Sequence, residues 1–265
     1  MLGAQPDVEF DGAAAHGGHP VVVARHLRKA YGHVVALRDG SLEANSGEIL
    51  GIVGDNGAGK STLIKILAGV IDPDEGEIEV HGKPAVWSDP MSARKGGISC
   101  VFQDLALVEA LSVTANMFLG AELTRGPFVR RREMALQAGQ RLAQLHIHVP
   151  SVTTAVGRLS GGQRQAVAVA RAVLQGGAIV IMDEPTAALG VQETRRVEGI
   201  IQALRTEGRT IILVSHDLEF VFRLADRITV MRLGCAVATV QTSSVDRDHV
   251  VGLITGSVAH KADAL

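Results

Sequence analysis

The chain has 265 residues, of which 46% are hydrophobic and 20% are charged, and its formal net charge at pH 7 is −2. This length and hydrophobic content are enough for one domain with a sizeable core, whereas the slightly acidic balance disfavours a general nucleic-acid binder, which needs a basic surface. No apolar stretch approaches the roughly 20 residues of a membrane-spanning helix, so a role at a membrane requires another polypeptide.

Residues 1–20 are rich in Gly, Ala and Pro and lack both a basic start and a long apolar core. They are predicted to form a flexible extension and not a signal peptide or an anchor. Cys100 and Cys235 are isolated, which gives neither a disulfide framework nor a metal motif and favours a reducing compartment. His146 and His148 are interpreted as surface residues, since no further metal ligand is near them in the sequence.

The first chemical motif joins a predicted buried strand over residues 48–53 to a predicted helix over residues 60–68. It fits the Walker A pattern and comprises Gly54, Asp55, Asn56, Gly57, Ala58, Gly59, Lys60, Ser61 and Thr62. Glycines let the backbone wrap around phosphates, and the helix that follows offers its free N–H groups to the anion. Lys60 is expected to reach the outer phosphates, Ser61 to bind Mg²⁺, and Thr62 to contact an inner phosphate.

A continuous apolar run over residues 178–182 predicts a central parallel strand. Asp183 and Glu184 follow at its carboxyl end, where ligands bind in open α/β sheets. Alone, such a pair is more often a solvated turn or a helix cap. Pro185 and Thr186, which follow the pair, and the glycine-rich segment over residues 159–165 ahead of it overturn that reading. We therefore expect Asp183 to hold Mg²⁺ and Glu184 to polarise the attacking water, because successive side chains leave a strand in opposite directions.

The segment Leu-Ser-Gly-Gly-Gln-Arg-Gln over residues 159–165 distinguishes this chain from P-loop kinases and GTPases, which have no counterpart to it. With this segment, the chain resembles the nucleotide-binding subunits of ABC transporters over about residues 21–256. The resemblance implies an α/β fold, the P-loop NTPase ABC ATPase fold. It has a RecA-like mixed sheet core, an antiparallel β subdomain and a helical subdomain inserted over about residues 104–172. Residues 257–265 would form a tail.

The resemblance also implies roles for single residues. Tyr31 matches the aromatic that stacks on adenine, Gln103 the glutamine that contacts Mg²⁺ and the attacking water, and His216 the histidine that contacts the terminal phosphate. The signature residues would close over the nucleotide of a second subunit, so the resemblance implies a homodimer with two composite sites for ATP and Mg²⁺. They are Ser160, Gly161, Gly162 and Gln163.

Residues 187–191 and 251–256 resemble the monosaccharide-importer branch of this family, and residues 112–120 resemble the segment that follows the counterpart of Gln103 in importer ATPases. At Gly190 many family members have Asp, in a loop that couples the two sites, so the strength of that coupling is an open question here. The branch implies an ATPase on the cytoplasmic face of the cell membrane that drives uptake of a sugar such as ribose, xylose or fructose.

Its expected partners are permease subunits and, through them, a solute-binding protein. An apolar loop surface built from Leu105, Leu107, Val108 and Leu111 would receive the permease, although internal packing of these side chains is an equal alternative. An importer ATPase for another small solute, such as an amino acid, and a soluble ABC ATPase without a transport role remain the alternative functions.

Overall fold

The structure is a computed structural model, which describes residues 18–258. Most of the predicted N-terminal extension and of the predicted tail lies outside the described residues. The strands of the described range are β1 (Pro20–Tyr31), β2 (Val34–Asn45), β3 (Ile49–Val53), β4 (Glu75–Val80), β5 (Lys83–Pro84), β6 (Ile98–Val101), β7 (Thr124–Arg125), β8 (Phe128–Val129), β9 (Ile179–Asp183), β10 (Thr210–Val214), β11 (Arg227–Arg232) and β12 (Cys235–Gln241). The α-helices are α1 (Lys60–Leu67), α2 (Pro90–Lys95), α3 (Val113–Met117), α4 (Arg131–Gln144), α5 (Gly161–Leu174), α6 (Val191–Thr206), α7 (Leu218–Leu224) and α8 (Arg247–Thr255).

The described chain forms two compact units. The first unit contains residues 18–96 and 210–258, and the second contains residues 97–209. The predicted phosphate loop therefore belongs to the first unit, whereas the signature and the acidic strand end belong to the second.

The sheet of the first unit mixes antiparallel and parallel pairs in the order β5-β4-β1-β2-β12-β11-β3-β10. Strands β1, β2, β4 and β5 pair antiparallel, whereas β3 pairs in parallel with both β10 and β11. Every residue of β3 and β10 is buried. Strands covered on both faces need continuous apolar runs, and this explains why these segments show no alternation in the sequence.

A buried ion pair connects two of the strands of the first unit. Glu48, just before β3, is 2% exposed, and Arg227, at the start of β11, is 5% exposed. Their closest atoms, Arg227 Nη1 and Glu48 Oε1, are 3.3 Å apart. The Glu48 carboxylate also accepts a 2.7 Å hydrogen bond from the backbone N–H of Asn45. The pair thus ties the entry to β3 to β11 and to the turn after β2.

The second unit has the parallel pair β6 and β9, the short hairpin β7–β8, and helices α3 to α6. Helix α5 is the centre of this unit. Nine of its residues are buried, and it packs against α3, α4, α6 and β6. The sequence over residues 134–145 has the periodicity of an amphipathic helix; the structure has this helix, but it begins at Arg131.

Candidate functional site

The phosphate loop starts directly after β3 and ends where α1 begins, in the strand-loop-helix context that the motif requires. Three glycines in it adopt positive φ, Gly54 at 150°, Gly57 at 83° and Gly59 at 99°. These conformations are in regions that L side chains rarely adopt. The glycine spacing of the motif is therefore explained by the backbone that it must form.

Neighbouring backbone also leaves no room for a side chain at two of these glycines, Gly54 and Gly59. A Cβ on Gly54 would lie 2.2 Å from the carbonyl oxygen of Met231, and one on Gly59 would lie 2.9 Å from that of Ala36. The Lys60 ammonium donates to the carbonyl oxygens of Gly54 at 2.6 Å and Asp55 at 2.9 Å, which holds it over the loop. The loop thus offers a cation and the N-terminus of α1 to an anion.

Two other predicted residues of the first unit lie at strand ends. Tyr31 is the last residue of β1 and is 48% exposed, so a planar ligand can reach it. His216 is exposed and follows β10. Because β10 and β3 are parallel, with Val214 paired to Ile52, His216 and the phosphate loop follow the same edge of this sheet.

The acidic pair of the second unit is built differently from the prediction. Asp183 is the last residue of β9, but Glu184 has φ at 50°, in the left-handed region. Strand alternation therefore does not set the direction of the Glu184 side chain, and that part of the expectation was wrong. A left-handed turn at a residue other than glycine costs roughly 1 to 2 kcal/mol and is typical of functional positions.

Gln103 and the acidic pair follow the same edge of the second unit. Strands β6 and β9 are parallel, and Val101 pairs with Met182, so the residues just after each strand leave from the same end. The Gln103 side chain is exposed. The unit thus brings together Gln103, Asp183 and Glu184, three of the residues predicted to act in hydrolysis.

The signature segment forms the start of a helix, which is what the family resemblance implies. Ser160 is the N-cap of α5, and its hydroxyl accepts a hydrogen bond from the backbone N–H of Gln163 at 3.3 Å. The Gln163 side chain in turn accepts from the Ser160 N–H at 3.0 Å. This reciprocal capping box orders the turn, and the position of Ser160 is exposed.

The glycines of the signature pack against the segment that follows the acidic pair. A Cβ on Gly162 would lie 2.6 Å from Cγ of Glu193, and one on Gly161 would lie 3.3 Å from Leu189. A Cβ on Gly190 would lie 2.9 Å from a carboxylate oxygen of the same Glu193. The Glu193 side chain therefore lies between Gly162 and Gly190. Only the folded chain brings these positions together, so the sequence analysis missed Glu193.

Two further residues that the sequence analysis missed hold the loop after Gln103. Asn116 is fully buried: its side chain accepts from the Val108 N–H at 2.8 Å and donates to the carbonyl oxygens of Val108, Leu111 and Ser112 at 3.0 to 3.2 Å. Arg171 of α5 donates at 2.8 Å to the carbonyl oxygens of Leu105 and Ala106. With its backbone held in this way, the loop leaves Val108 43% and Leu111 37% exposed.

Cys100, Cys235, His146 and His148 lie outside these motifs. Cys100 and Cys235 are free thiols, and burial raises the pKa of both. His146 and His148 are exposed, as predicted. Between residues 18 and 258 no cluster of three or more His, Cys, Asp or Glu side chains could hold a metal ion.

Comparison with known families identifies the chain. The family model described as ABC transporter matches residues 37–187, which is more than half of the sequence. The chain belongs to the ABC transporter family. The ABC ATPase fold and the ATPase activity predicted from the phosphate loop and the signature are thereby confirmed.

Relatives within the ABC transporter family include sugar import proteins. The fructose import ATP-binding protein FrcA of Rhizobium meliloti is 45% identical, and the match covers 93% of this chain and 98% of the relative. The ribose import ATP-binding protein RbsA 2 of Rubrobacter xylanophilus is 44% identical over 92% of this chain. The chain spans 48% of the length of that relative.

A dimeric, post-hydrolysis structure of the ATP-binding cassette MJ0796 with ADP and Pi is similar to this ABC chain, with a TM-score of 0.72 and 26% identity. The match covers 83% of this chain and 98% of that one. Within residues 18–258 of this ABC transporter family member, no helix has the length and apolar character needed to cross a membrane.

Proposed function

We propose that this chain is the ATP-hydrolysing subunit of a monosaccharide importer and works at the cytoplasmic face of the cell membrane. The observation that carries this proposal is the 45% identity, over nearly the full length of both chains, to a protein named for fructose import. The sugar class is supported by this similarity and by the sequence segments noted above, because the proposed site of this chain binds nucleotide and not sugar.

In the first unit, the proposed task is to bind ATP. Lys60 would exchange its contacts with loop carbonyls for the outer phosphates, Thr62 would contact an inner phosphate, and Tyr31 would stack on the adenine ring. Arginine or lysine cations are the groups that proteins offer to phosphate charge. The positive φ of the loop glycines lets the backbone N–H groups turn toward the same phosphates.

In the second unit, the proposed task is hydrolysis. Glu184 would polarise the attacking water, and the family resemblance assigns Gln103 and His216 as further contacts of the reacting phosphate and water. The proposed Mg²⁺ ligands Ser61, Gln103 and Asp183 are hard oxygen donors, which is the donor set that Mg²⁺ prefers. When bound, Mg²⁺ neutralises charge on the phosphate oxygens.

The proposed assembly is a homodimer in which each ATP lies between the phosphate loop of one subunit and the signature of the other. The geometry that supports it is the exposed, capped start of α5 at Ser160, which presents backbone N–H groups and the positive end of a helix dipole. One subunit alone would supply only part of the charge stabilisation that phosphoryl transfer requires.

A mixing experiment tests these composite sites. Lys60→Ala and Gly162→Asp homodimers are each expected to be inactive, because every site carries one defect. In mixed dimers one site is intact and the other has both defects, so equal mixing is expected to restore about a quarter of the ATPase rate if the sites act independently and subunits exchange freely. Steady-state ATPase assays at varied mixing ratios measure this.

A second signature variant guards against misfolding, since an Asp at Gly162 would clash with Glu193. Ser160→Arg changes an exposed position at a cost of about 1 kcal/mol for the lost cap. No recovery with either signature variant, although circular dichroism shows them folded, would contradict independent composite sites.

The importer role is tested by isolating partners from membranes of the host. Tagged Glu184→Gln protein with ATP is expected to retain a polytopic permease, identified by mass spectrometry after mild solubilisation. Lys60→Ala is the matched control, because it should not form the ATP-dependent assembly. Recovery of ribosomal or DNA-repair proteins in place of a permease would contradict the importer and favour a soluble ABC ATPase. A permease that takes up an amino acid would contradict the sugar assignment alone.

A further inference from the structure

The hairpin β7–β8 and the start of α4 present an unusual surface. All nine residues from 124 to 132, here called the arginine hairpin, are exposed. The Phe128 side chain is 75% exposed and that of Val129 is 45% exposed. Because Phe128 and Val129 are successive residues of β8, their side chains leave the hairpin on opposite faces, and each face presents one large apolar side chain among polar ones.

The exposure of Phe128 belongs to an ordered element. Strand residues Thr124 and Arg125 pair with Val129 and Phe128 around a two-residue turn. Its first residue, Gly126, has φ at 60° and is followed by Pro127, which is the pattern of a type II′ hairpin turn. The hairpin therefore holds the aromatic ring outward.

The arginine hairpin is also strongly basic. It contains four arginines and no Asp or Glu, so it contributes +4 to a chain whose net charge is −2. Arg130 pairs with Glu133. The side chains of Arg125, Arg131 and Arg132 make no hydrogen bond or ion pair with any residue from 18 to 258. Three guanidinium groups are thus available to an external anion.

We propose that the arginine hairpin binds the headgroup layer of an anionic membrane leaflet. Guanidinium groups pair with phosphate oxygens through two parallel hydrogen bonds, and an aromatic ring beside them suits the boundary between headgroups and acyl chains. Nucleic acid would pair with the same arginines, but it would leave Val129 exposed, whereas the boundary between headgroups and acyl chains takes up apolar side chains of both kinds, aromatic and aliphatic. This contact goes beyond the proposed function, which places the protein at the membrane only through a permease.

The strength of the contact follows from charge and apolar burial. Each arginine near an anionic surface is expected to raise the partition coefficient about fivefold at low salt. The effect falls as salt shortens the screening length. Because the apolar contribution of Phe128 does not depend on salt, replacing Phe128 should weaken binding at every ionic strength.

Vesicle flotation of the full chain without nucleotide tests the proposal. The vesicles are pure phosphatidylcholine or phosphatidylcholine with roughly a third phosphatidylserine. We expect binding only to the anionic vesicles, a loss of about 20-fold or more in Arg131→Gln/Arg132→Gln, and weaker binding in Phe128→Ser. Matched controls are Arg195→Gln/Arg196→Gln, two exposed arginines of α6, and Val86→Ser, which removes a side chain that is 93% exposed.

Two outcomes would overturn the proposal. The first is that the protein floats equally with both vesicle types or floats with neither. The second is that the control variants lose as much vesicle binding as the variants of the arginine hairpin. Retention on an RNA homopolymer that depends on the arginine hairpin, without vesicle binding, would assign the surface to nucleic acid instead. All variants should keep the ATPase rate of the parent protein, so failure of lipid binding with intact hydrolysis leaves the proposed function standing.

Discussion

Glu184→Gln is expected to lower kcat for ATP hydrolysis by about 10²- to 10⁴-fold, the range lost when a general base is removed, while ATP binding is retained. The amide keeps the size of the side chain and removes the charge that would polarise water. Single-turnover hydrolysis and equilibrium binding of a fluorescent ATP analogue measure the two effects. Glu109→Gln, which alters an exposed carboxylate in the same unit, is the control. Hydrolysis by Glu184→Gln at the parental rate would exclude Glu184 as the base.

The left-handed conformation of Glu184 allows a sharper version of this experiment. Glycine adopts φ near 50° without the cost of roughly 1 to 2 kcal/mol that an L side chain carries there, although it is more flexible when unfolded. The free energy of unfolding of Glu184→Gly is therefore expected to lie within about 1 kcal/mol of that of the parent protein. The variant should nevertheless lose ATP hydrolysis. Ala188→Gly, at φ 58°, should show the same small change in stability and keep activity.

Arg227→Met is expected to lower the free energy of unfolding by about 3 to 5 kcal/mol, because it leaves the charge of Glu48 buried without its partner. Glu48→Gln should cost less, since the amide still accepts from the Asn45 N–H. The double variant should recover most of the loss, because apolar or neutral replacement of a whole buried pair is often tolerated. Urea unfolding of the four proteins, followed by circular dichroism, gives the coupling energy.

Arg223→Met is the matched control for this cycle, as Arg223 pairs with Glu219 on an exposed surface at 2.9 Å. Exposed pairs contribute roughly 0 to 1 kcal/mol. If Arg227→Met cost no more than Arg223→Met, the pair would not stabilise the first unit.

The elements that sequence predicts best here are those in which local chemistry and conformation agree. The conformation of the phosphate loop is predictable because the loop has glycine where φ is positive. The helix start at the signature is predictable because Ser160 and Gln163 have the spacing of a capping box. The start of helix α4 was predicted too late in the chain. Arg130 at its N-cap makes no side-chain cap, and a helix without a capping residue gives no start signal in the sequence.

Features that depend on distant residues were not predictable. The turn at Glu184 has no sequence signal, since glutamate rarely adopts positive φ. The hydrogen bonds of Asn116 and Arg171 to the loop after Gln103 depend on tertiary packing. So does the position of Glu193 beside Gly190, where the sequence shows only that an expected acid is missing.

The position of Glu193 has a mechanical consequence for the second unit. Its aliphatic portion lies against Gly162 and its carboxylate against Gly190, so the start of α5 cannot advance without pushing on the residues that follow Glu184. Close-packed groups transmit displacement because they have little room to compress. In the proposed homodimer, a subunit that docks on the signature would therefore push on the turn that holds Glu184. The attack of water would then depend on whether the second subunit is docked.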